Sequence, residues 1–398
     1  MKKILGLIIV LILTLTLSSC GSKKEEELKV LKIGALAPLS GPAAPWGLPM
    51  KKTFELAFDE LNEAGGIKVG KETYKVQLVI MDTKASPIDA KAAAEKLVLN
   101  DGIKFILGPV VSATTLAVQT ITEPNKVIIF HTSTAKDSTG KQKPYSFMLM
   151  NTTNQRMAVL CKWLRDTYPD SKRYAIINPD NDGGRSETEG QKILLNKYGL
   201  ELVSSEFYPQ GTKDFYPILT RMIAKKPDMI SLGVTTPGDQ GLVLKQLGEL
   251  GYNKIKMINT SAMASLLYKV AGEASNGTII LDEDYASGGK FMTPEKQEFY
   301  DSFVSKYGTE NWSPSTRIAY SFTQILFAAI QGAGTLDTDK VVEYITSNEI
   351  NTLLGKVHTG SPGKRQGYAP VPITILENGK NKTIDMVPIP EPVPGMDN

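Results

Sequence analysis

Histidine and cysteine are nearly absent from this chain: two of each in 398 residues, at His131, His358, Cys20 and Cys161. A His/Cys metal centre takes about four such ligands at close spacing, so four scattered residues exclude it. Excess charge of one sign is missing as well. Against 45 Lys and Arg stand 42 Asp and Glu, which provides no basic face for nucleic acid and no broad attraction to an anionic membrane. The GxxxxGK phosphate loop and the GxSxG nucleophile elbow are absent, and "GGRSETEG" (183–190) lacks the GxGxxG order of a dinucleotide turn. No solenoid repeat is visible. Catalysis is not what these residues advertise, and no cofactor is expected.

With 41% hydrophobic residues the chain can bury large cores, and its length suits about two domains. Its first segment runs from Lys2-Lys3 through an apolar stretch, Ile4 to Leu17, into Leu17-Ser18-Ser19-Cys20-Gly21. Basic, apolar and small residues in that order read as an export signal, too short to span a bilayer comfortably. The LSSC tetrad resembles the lipobox of bacterial lipoproteins, which implies that Cys20 is acylated, becomes the new N-terminus and anchors the chain to a membrane. Residues 22–27, SKKEEE, then form a solvated tether. Cys161, in the apolar helical pattern "AVLCKWL", is the one thiol left, so no disulfide forms within the mature chain and Cys161 reads as a small core residue.

From Val30 onward strand-like runs alternate with amphipathic helical segments, which predicts parallel sheets covered by helices. One series runs from "VLKIGALAPL" (30–39) to "KVIIFHTST" (126–134), and a second from "RYAIINPD" to "KIKMINTS". Two similar lobes are implied. One stretch, "ILGPVVSATTLAV" (106–118), carries more than fold. A strand stopping at Gly108-Pro109, followed by a helix whose start bears Ser112, Thr114 and Thr115, gathers backbone N–H groups and hydroxyls at one spot. That spot suits a small anion, and capping of the helix is the other use for the same hydroxyls.

"KIGALAPLSGPAAPWG", "LAFDELNEAGGIKVG", "VQLVIMDTKASPIDA", "ILGPVVSATTLAV", "FHTSTAKD", "PDNDGGRSETEG" and "LKQLGELGY" follow in order along the chain. Together they resemble the substrate-binding proteins of branched-chain amino acid ABC transporters, the leucine/isoleucine/valine type. The resemblance implies an α/β, type I periplasmic binding protein fold: two doubly wound parallel-sheet lobes on a three-stranded hinge, with crossings near Met150, Leu281 and Gly355. Lobe 1 would comprise residues 30–150 and 282–355, and lobe 2 residues 151–281 and 356–385. The signal (1–20) and tether (21–29) precede them, and a proline-rich tail (386–398) follows.

The same resemblance implies site residues. Ser112 and Thr134 would hold a ligand carboxylate, Val110 and Val111 would add backbone contacts, and Thr132 and Ser133 fit the stretch that meets the amino group and carboxylate. Trp46 would line the pocket mouth. Three positions depart from the pattern: Ser261 stands where amino-acid binders place an acid against the ammonium, and Gly183 and Thr235 stand where they place aromatics. The ammonium partner is then Asp182, Asp239 or Asp284, or the ligand is an amine-free organic acid, aromatic acid or amide, with Arg185 and His131 as candidates for a second positive contact. The expected partners are a small-molecule ligand, an ABC permease and, through Cys20, a membrane. The expected form is an extracytoplasmic monomer; a ligand-sensing lipoprotein of the same fold is the alternative.

Overall fold

The computed structural model describes residues 28–133, 135–149, 151, 153–259, 262–281, 292–358, 371–387 and 389. Cys20 with the expected export signal, the crossing at Met150, Asp284 and residues 390–398 of the tail lie outside the described residues.

The first sheet holds β1 (Lys29–Ala37), β2 (Ile67–Val69), β3 (Glu72–Asp82), β4 (Phe105–Leu107), β5 (Ile128–His131) and β6 (Ser146–Met148), in the order β2-β3-β1-β4-β5-β6. Only β2 is antiparallel to its neighbour. Every residue of β4 and β5 is buried, as it must be for strands covered on both faces. Helices α1 (Ala44–Glu63), α2 (Pro87–Glu95) and α3 (Ser112–Thr122) connect these strands.

The second sheet holds β7 (Arg173–Pro179), β8 (Glu201–Tyr208), β9 (Met229–Ser231), β10 (Ile255–Ile258) and β11 (Ile279–Ile280), all parallel. Its helices are α4 (Thr153–Thr167), α5 (Asp182–Lys197), α6 (Tyr216–Ala224), α7 (Pro237–Glu249) and α8 (Ala264–Ala271). The chain then returns to the first lobe with α9 (Pro294–Tyr307), α10 (Pro314–Ala333), α11 (Thr338–Ser347) and the hairpin β12 (Glu349–Thr352) and β13 (Gly355–His358). Antiparallel β14 (Val371–Glu377) and β15 (Lys380–Val387) complete the second sheet, whose order is β15-β14-β11-β10-β9-β7-β8.

Each sheet is packed on both faces. In the first lobe Phe130 stacks on Phe147 with ring centroids 5.6 Å apart, and Phe322 of the late helix α10 joins them at 5.9 Å. The opposite face buries Leu97, Ile106, Val118 and Ile129. In the second lobe Cys161 is fully buried beside Leu160 and Ile176, and burial pushes its thiol far above the usual range. Ile350 and Val357 also belong to the first core. The hairpin therefore continues past Gly355, the residue at which a crossing is expected from sequence. Gly355, at φ +99, opens β13 opposite Thr352.

His131 is not a positive contact. It is fully buried at the end of β5, its Nδ1 lies 3.2 Å from the Ser133 N–H that donates to it, and its Nε2 lies 3.1 Å from the Ser138 carbonyl oxygen. That pair of partners fits the neutral ring with its proton on Nε2. Burial lowers its pKa from the ordinary 6.5 to about 3. The ring thus ties the loop after β5 to the segment ending at Ser138. Gln119 of α3 reaches the same carbonyl at 2.7 Å and Ser146 Oγ at 2.9 Å.

The second lobe buries a charge pair, Arg156 Nη2 and Glu187 Oε2, 3.5 Å apart with 5% and 0% of their side chains exposed. Glu187 also accepts from Gln191 at 2.9 Å and Asn259 at 3.2 Å. Such a pair contributes little relative to apolar residues of the same volume, but breaking it strands a buried charge.

Two outcomes follow. Glu187→Leu should destabilise the chain by about 3–5 kcal/mol, while Arg156→Met combined with Glu187→Leu recovers most of that loss, read from thermal midpoints. For His131 the unfolded ring takes up a proton below pH 6.5 and the folded ring does not until about 3. Stability is then complete above 6.5 and declines as pH falls toward 3. Between pH 7.5 and 5 the native chain should lose about 2 kcal/mol more than His131→Gln; equal slopes would refute the neutral buried ring.

Candidate ligand-binding site

In an open parallel sheet a crevice forms at the carboxyl end where neighbouring strands send their connections in opposite directions. The first sheet has that point between β1 and β4, the second between β7 and β9. The loops leaving all four strands line one cavity of ≈ 270 Å³. Residues of both lobes surround it, so the two crevices face each other.

On the first-lobe side the wall begins at α3. Val111 is its N-cap and makes no side-chain capping bond. Thr114 and Thr115 both donate to the Val111 carbonyl, at 2.7 and 3.0 Å. Their hydroxyls serve the helix. Ser112 and Ala113, the first two helical residues, line the cavity with Val110 and Val111. A helix start with no capping side chain presents N–H groups and the positive end of its dipole, which favours an anion. Thr132 lines the wall beside them, its Oγ1 donating to the Val110 carbonyl at 3.0 Å. At Gly108, φ is +98 and a Cβ would lie 2.1 Å from the Leu36 carbonyl oxygen, so only glycine lets the ends of β1 and β4 lie this close. Asp82 fixes the loops above, accepting from Leu39 N at 2.8 Å, Lys84 N at 2.7 Å and Ser40 Oγ at 2.7 Å.

Trp46, in the first turn of α1, lines the cavity, and its backbone oxygen accepts from Ser315 Oγ at 3.1 Å. Its Nε1 is buried with no hydrogen-bond partner among the described residues. Met50 and Ile318 extend this apolar wall.

The second lobe supplies Asn181, Gly183, Tyr208, Val234, Thr236 and Asp239. Asp239, in the first turn of α7, is 4% exposed and is the one carboxylate lining the cavity among the described residues. Its Oδ2 accepts from Thr236 Oγ1 at 2.8 Å and Tyr208 OH at 3.1 Å. Burial, with the charge of Asp239 and its hydrogen bond, holds the Tyr208 hydroxyl well above the usual phenol range. Gly183 meets the opposite lobe: a Cβ there would stand 2.9 Å from Ser112 Oγ. The starts of α3 and α5 thus touch across the cavity.

Of the residues singled out from sequence, Trp46, Val110, Val111, Ser112, Thr132, Gly183 and Asp239 line this cavity; Thr134 and Ser261 lie outside the described residues. Three are placed elsewhere. Ser133 is fully buried, its hydroxyl accepting from Ala135 N at 3.2 Å, and shapes the loop. Asp182 is exposed and does not line the cavity, while its neighbours Asn181 and Gly183 do. Thr235 is fully buried behind Val234 and Thr236, its carbonyl accepting from Gln240 at 2.9 Å. Arg185 is no cavity cation either: it is exposed, paired with Asp180, and sits over the Phe207 ring at 5.4 Å. Tyr208, Thr236 and Asn181 were not selected from sequence, although "FYPQG" marks a strand end and a turn. Among the described residues no group of three or more His, Cys, Asp or Glu is placed to hold a metal ion.

Residues 30–380 match the model of a family described as periplasmic binding protein. The chain is 30% identical over 336 residues to the Leu/Ile/Val-binding protein BraC3 of Rhizobium johnstonii, covering 84% of this chain and 88% of that protein. It is 26% identical over 358 residues to the leucine-, isoleucine-, valine-, threonine-, and alanine-binding protein of Pseudomonas aeruginosa, covering 89% and 91%. Among solved structures, LivJ of Streptococcus pneumoniae in complex with isoleucine superposes with a TM-score of 0.79 at 20% identity, covering 90% of this chain and 99% of that one. A solute binding protein of R. palustris in complex with benzoate gives 0.77 at 18% identity, covering 90% and 96%. These two likenesses establish the shared two-lobed fold. With its model spanning nearly the whole described chain, this protein belongs to the periplasmic binding protein family.

Proposed function

We propose that this chain is an extracytoplasmic carrier that encloses a small carboxylate bearing an apolar body, foremost an amino acid, and delivers it to an ABC permease. The observation that carries this reading is the cavity at the two facing crevices, with the α3 start, lacking a capping side chain, in its wall. Its ≈ 270 Å³ falls just below the range of about 300–1,000 Å³ for drug-sized ligands, which points to something smaller. Met50, Val110, Val234 and Ile318 suit an aliphatic chain or a ring. The relatives named for leucine, isoleucine and valine and the fold neighbour holding benzoate share that chemistry: a carboxylate on a compact apolar body. Neutral donors suit a carrier that must release its load, since each adds modest affinity. Contacts from both lobes favour the closed form, and release requires reopening.

The reading extends to the membrane through Cys20. No helix among the described residues is long and apolar enough to cross a bilayer, so attachment would rest on acylation of that cysteine. Cys20→Ala should move the protein from the membrane fraction to the soluble fraction, as seen by immunoblot; retention at the membrane would refute the anchor.

The ligand reading is tested by thermal shift of the purified full chain with L-leucine, L-valine and benzoate beside the corresponding amides, in which an uncharged carboxamide replaces the carboxylate. A ligand at a hundredfold excess over its Kd adds about 2.7 kcal/mol. At least one acid should stabilise the chain and its amide much less; no response to any acid would remove the proposal. Gly183→Val, which sets a side chain against Ser112, should weaken binding of the stabilising acid at least about tenfold by calorimetry, because closure is propped open.

A further inference from the structure

Helix α2 does not stop at Glu95 but continues as a wider, π-helical turn, Lys96–Asn100. It lies beside α3 on one face of the first sheet, where Ala90, Ala94 and Leu97 share a core with Val118. The outward side of this helix pair is poorly suited to water. Ile88 is 84% exposed and Leu99 59%, and Ala92, also exposed, stands between them along the same side of the helix. On α3 the outward residues Leu116, Ala117 and Thr120 are uncharged, and no charged residue falls anywhere from Phe105 to Thr122. A helix covering a sheet ordinarily shows solvent a charged face. Helix α1 does so with Lys51, Lys52, Glu55 and Asp59. Contiguous exposed apolar surface of this kind marks an interaction site. The charges bordering the α2 stripe are uncommitted: Lys91, Glu95 and Lys96 make no ion pair among the described residues, whereas Asp89 of the same helix is paired with Lys84 at 2.9 Å.

We propose that the α2–α3 face is a homodimer interface, covered by a second copy of this chain about a two-fold axis, in place of the monomer expected from sequence. Such an axis runs the two α2 helices antiparallel and requires the contact to complement itself. This stripe does. Setting Ile88 opposite Leu99 of the second copy joins the apolar ends of both stripes, and the same register brings Glu95 beside Lys91 of the second copy, a pairing that symmetry repeats. Ala92 and Ala117 are small enough for the helix surfaces to approach closely. All of these residues belong to the first lobe, and none lines the chamber. The contact therefore leaves the second lobe free to move, and the pair can open and close with its interface intact.

The test is sedimentation velocity of the purified full chain across a concentration series, with the thermal midpoint measured alongside. The native chain should approach twice the mass of one chain as concentration rises. Ile88→Glu combined with Leu99→Glu should weaken the dimer at least about tenfold, the scale of losing apolar anchors from an interface. The same pair of changes should leave the thermal midpoint of the dissociated chain where it was, because both side chains are exposed in the single copy. Lys91→Glu should weaken association as well, and adding Glu95→Lys should restore it, since opposite charges then face each other again across the axis. A native chain that stays monomeric throughout the series would overturn the inference. So would association that survives Ile88→Glu with Leu99→Glu, which would place the contact on another surface or on the apolar segment Ile4 to Leu17. Both of those results leave the carrier reading untouched.

Discussion

Parallel strands can be joined only by crossovers, and where two neighbouring crossovers leave a sheet in opposite directions their loops part and leave a gap. Most of what distinguishes this molecule depends on that constraint operating twice. Between β1 and β4 and again between β7 and β9, the sheet order leaves a crevice that no core side chain fills. Because the chain passes from one lobe to the other and back, the two crevices face each other and become one chamber. The chamber is therefore a product of topology before it is a product of any side chain. Side chains decide only what it prefers.

Its polar groups are also divided by the fold. The first lobe contributes a helix start and hydroxyl-bearing loops, and the second contributes the buried aspartate and its phenol. Neither lobe alone surrounds a small molecule, so enclosure and recognition are one event. The rigidity behind each half comes from polar groups outside the chamber. Gln119, Ser138 and His131 tie α3 to the loop after β5, and Asp82 gathers the loops above β1 and β3. These contacts hold the chamber wall in place from residues that do not themselves line the chamber.

The architecture was legible because alternation of apolar runs and amphipathic segments is a long-range signal, repeated from Val30 to the end of the second series. Strand ends were legible too, and with them Ser112, Val110 and Thr132. Positions along a loop were not, since a loop has no period. In the second lobe Gly183 and Asp239 were found, but two others slipped by one: Asp182 for Asn181, and Thr235 for Val234 and Thr236. Ser315 and Ile318 reach the chamber from a helix some two hundred residues downstream of α3, and no local pattern announces that. His131 read as a possible cation because its complete burial is a tertiary fact. Gly355 was expected at a crossing from the family resemblance alone, and the residue itself, a glycine inside an apolar run, marks a hairpin turn equally well.

The meeting of Gly183 with Ser112 has one further consequence. The lobes come together where one partner has no side chain at all, so on that side the clearance is set by backbone, and only the short Ser112 side chain faces it. The junction behaves as a mechanical stop: it defines a single closed spacing, and anything too bulky for the chamber holds the stop unmade. A receiving membrane protein that engages only the fully shut form would then be offered cargo already measured for size, with no need for a gauge of its own.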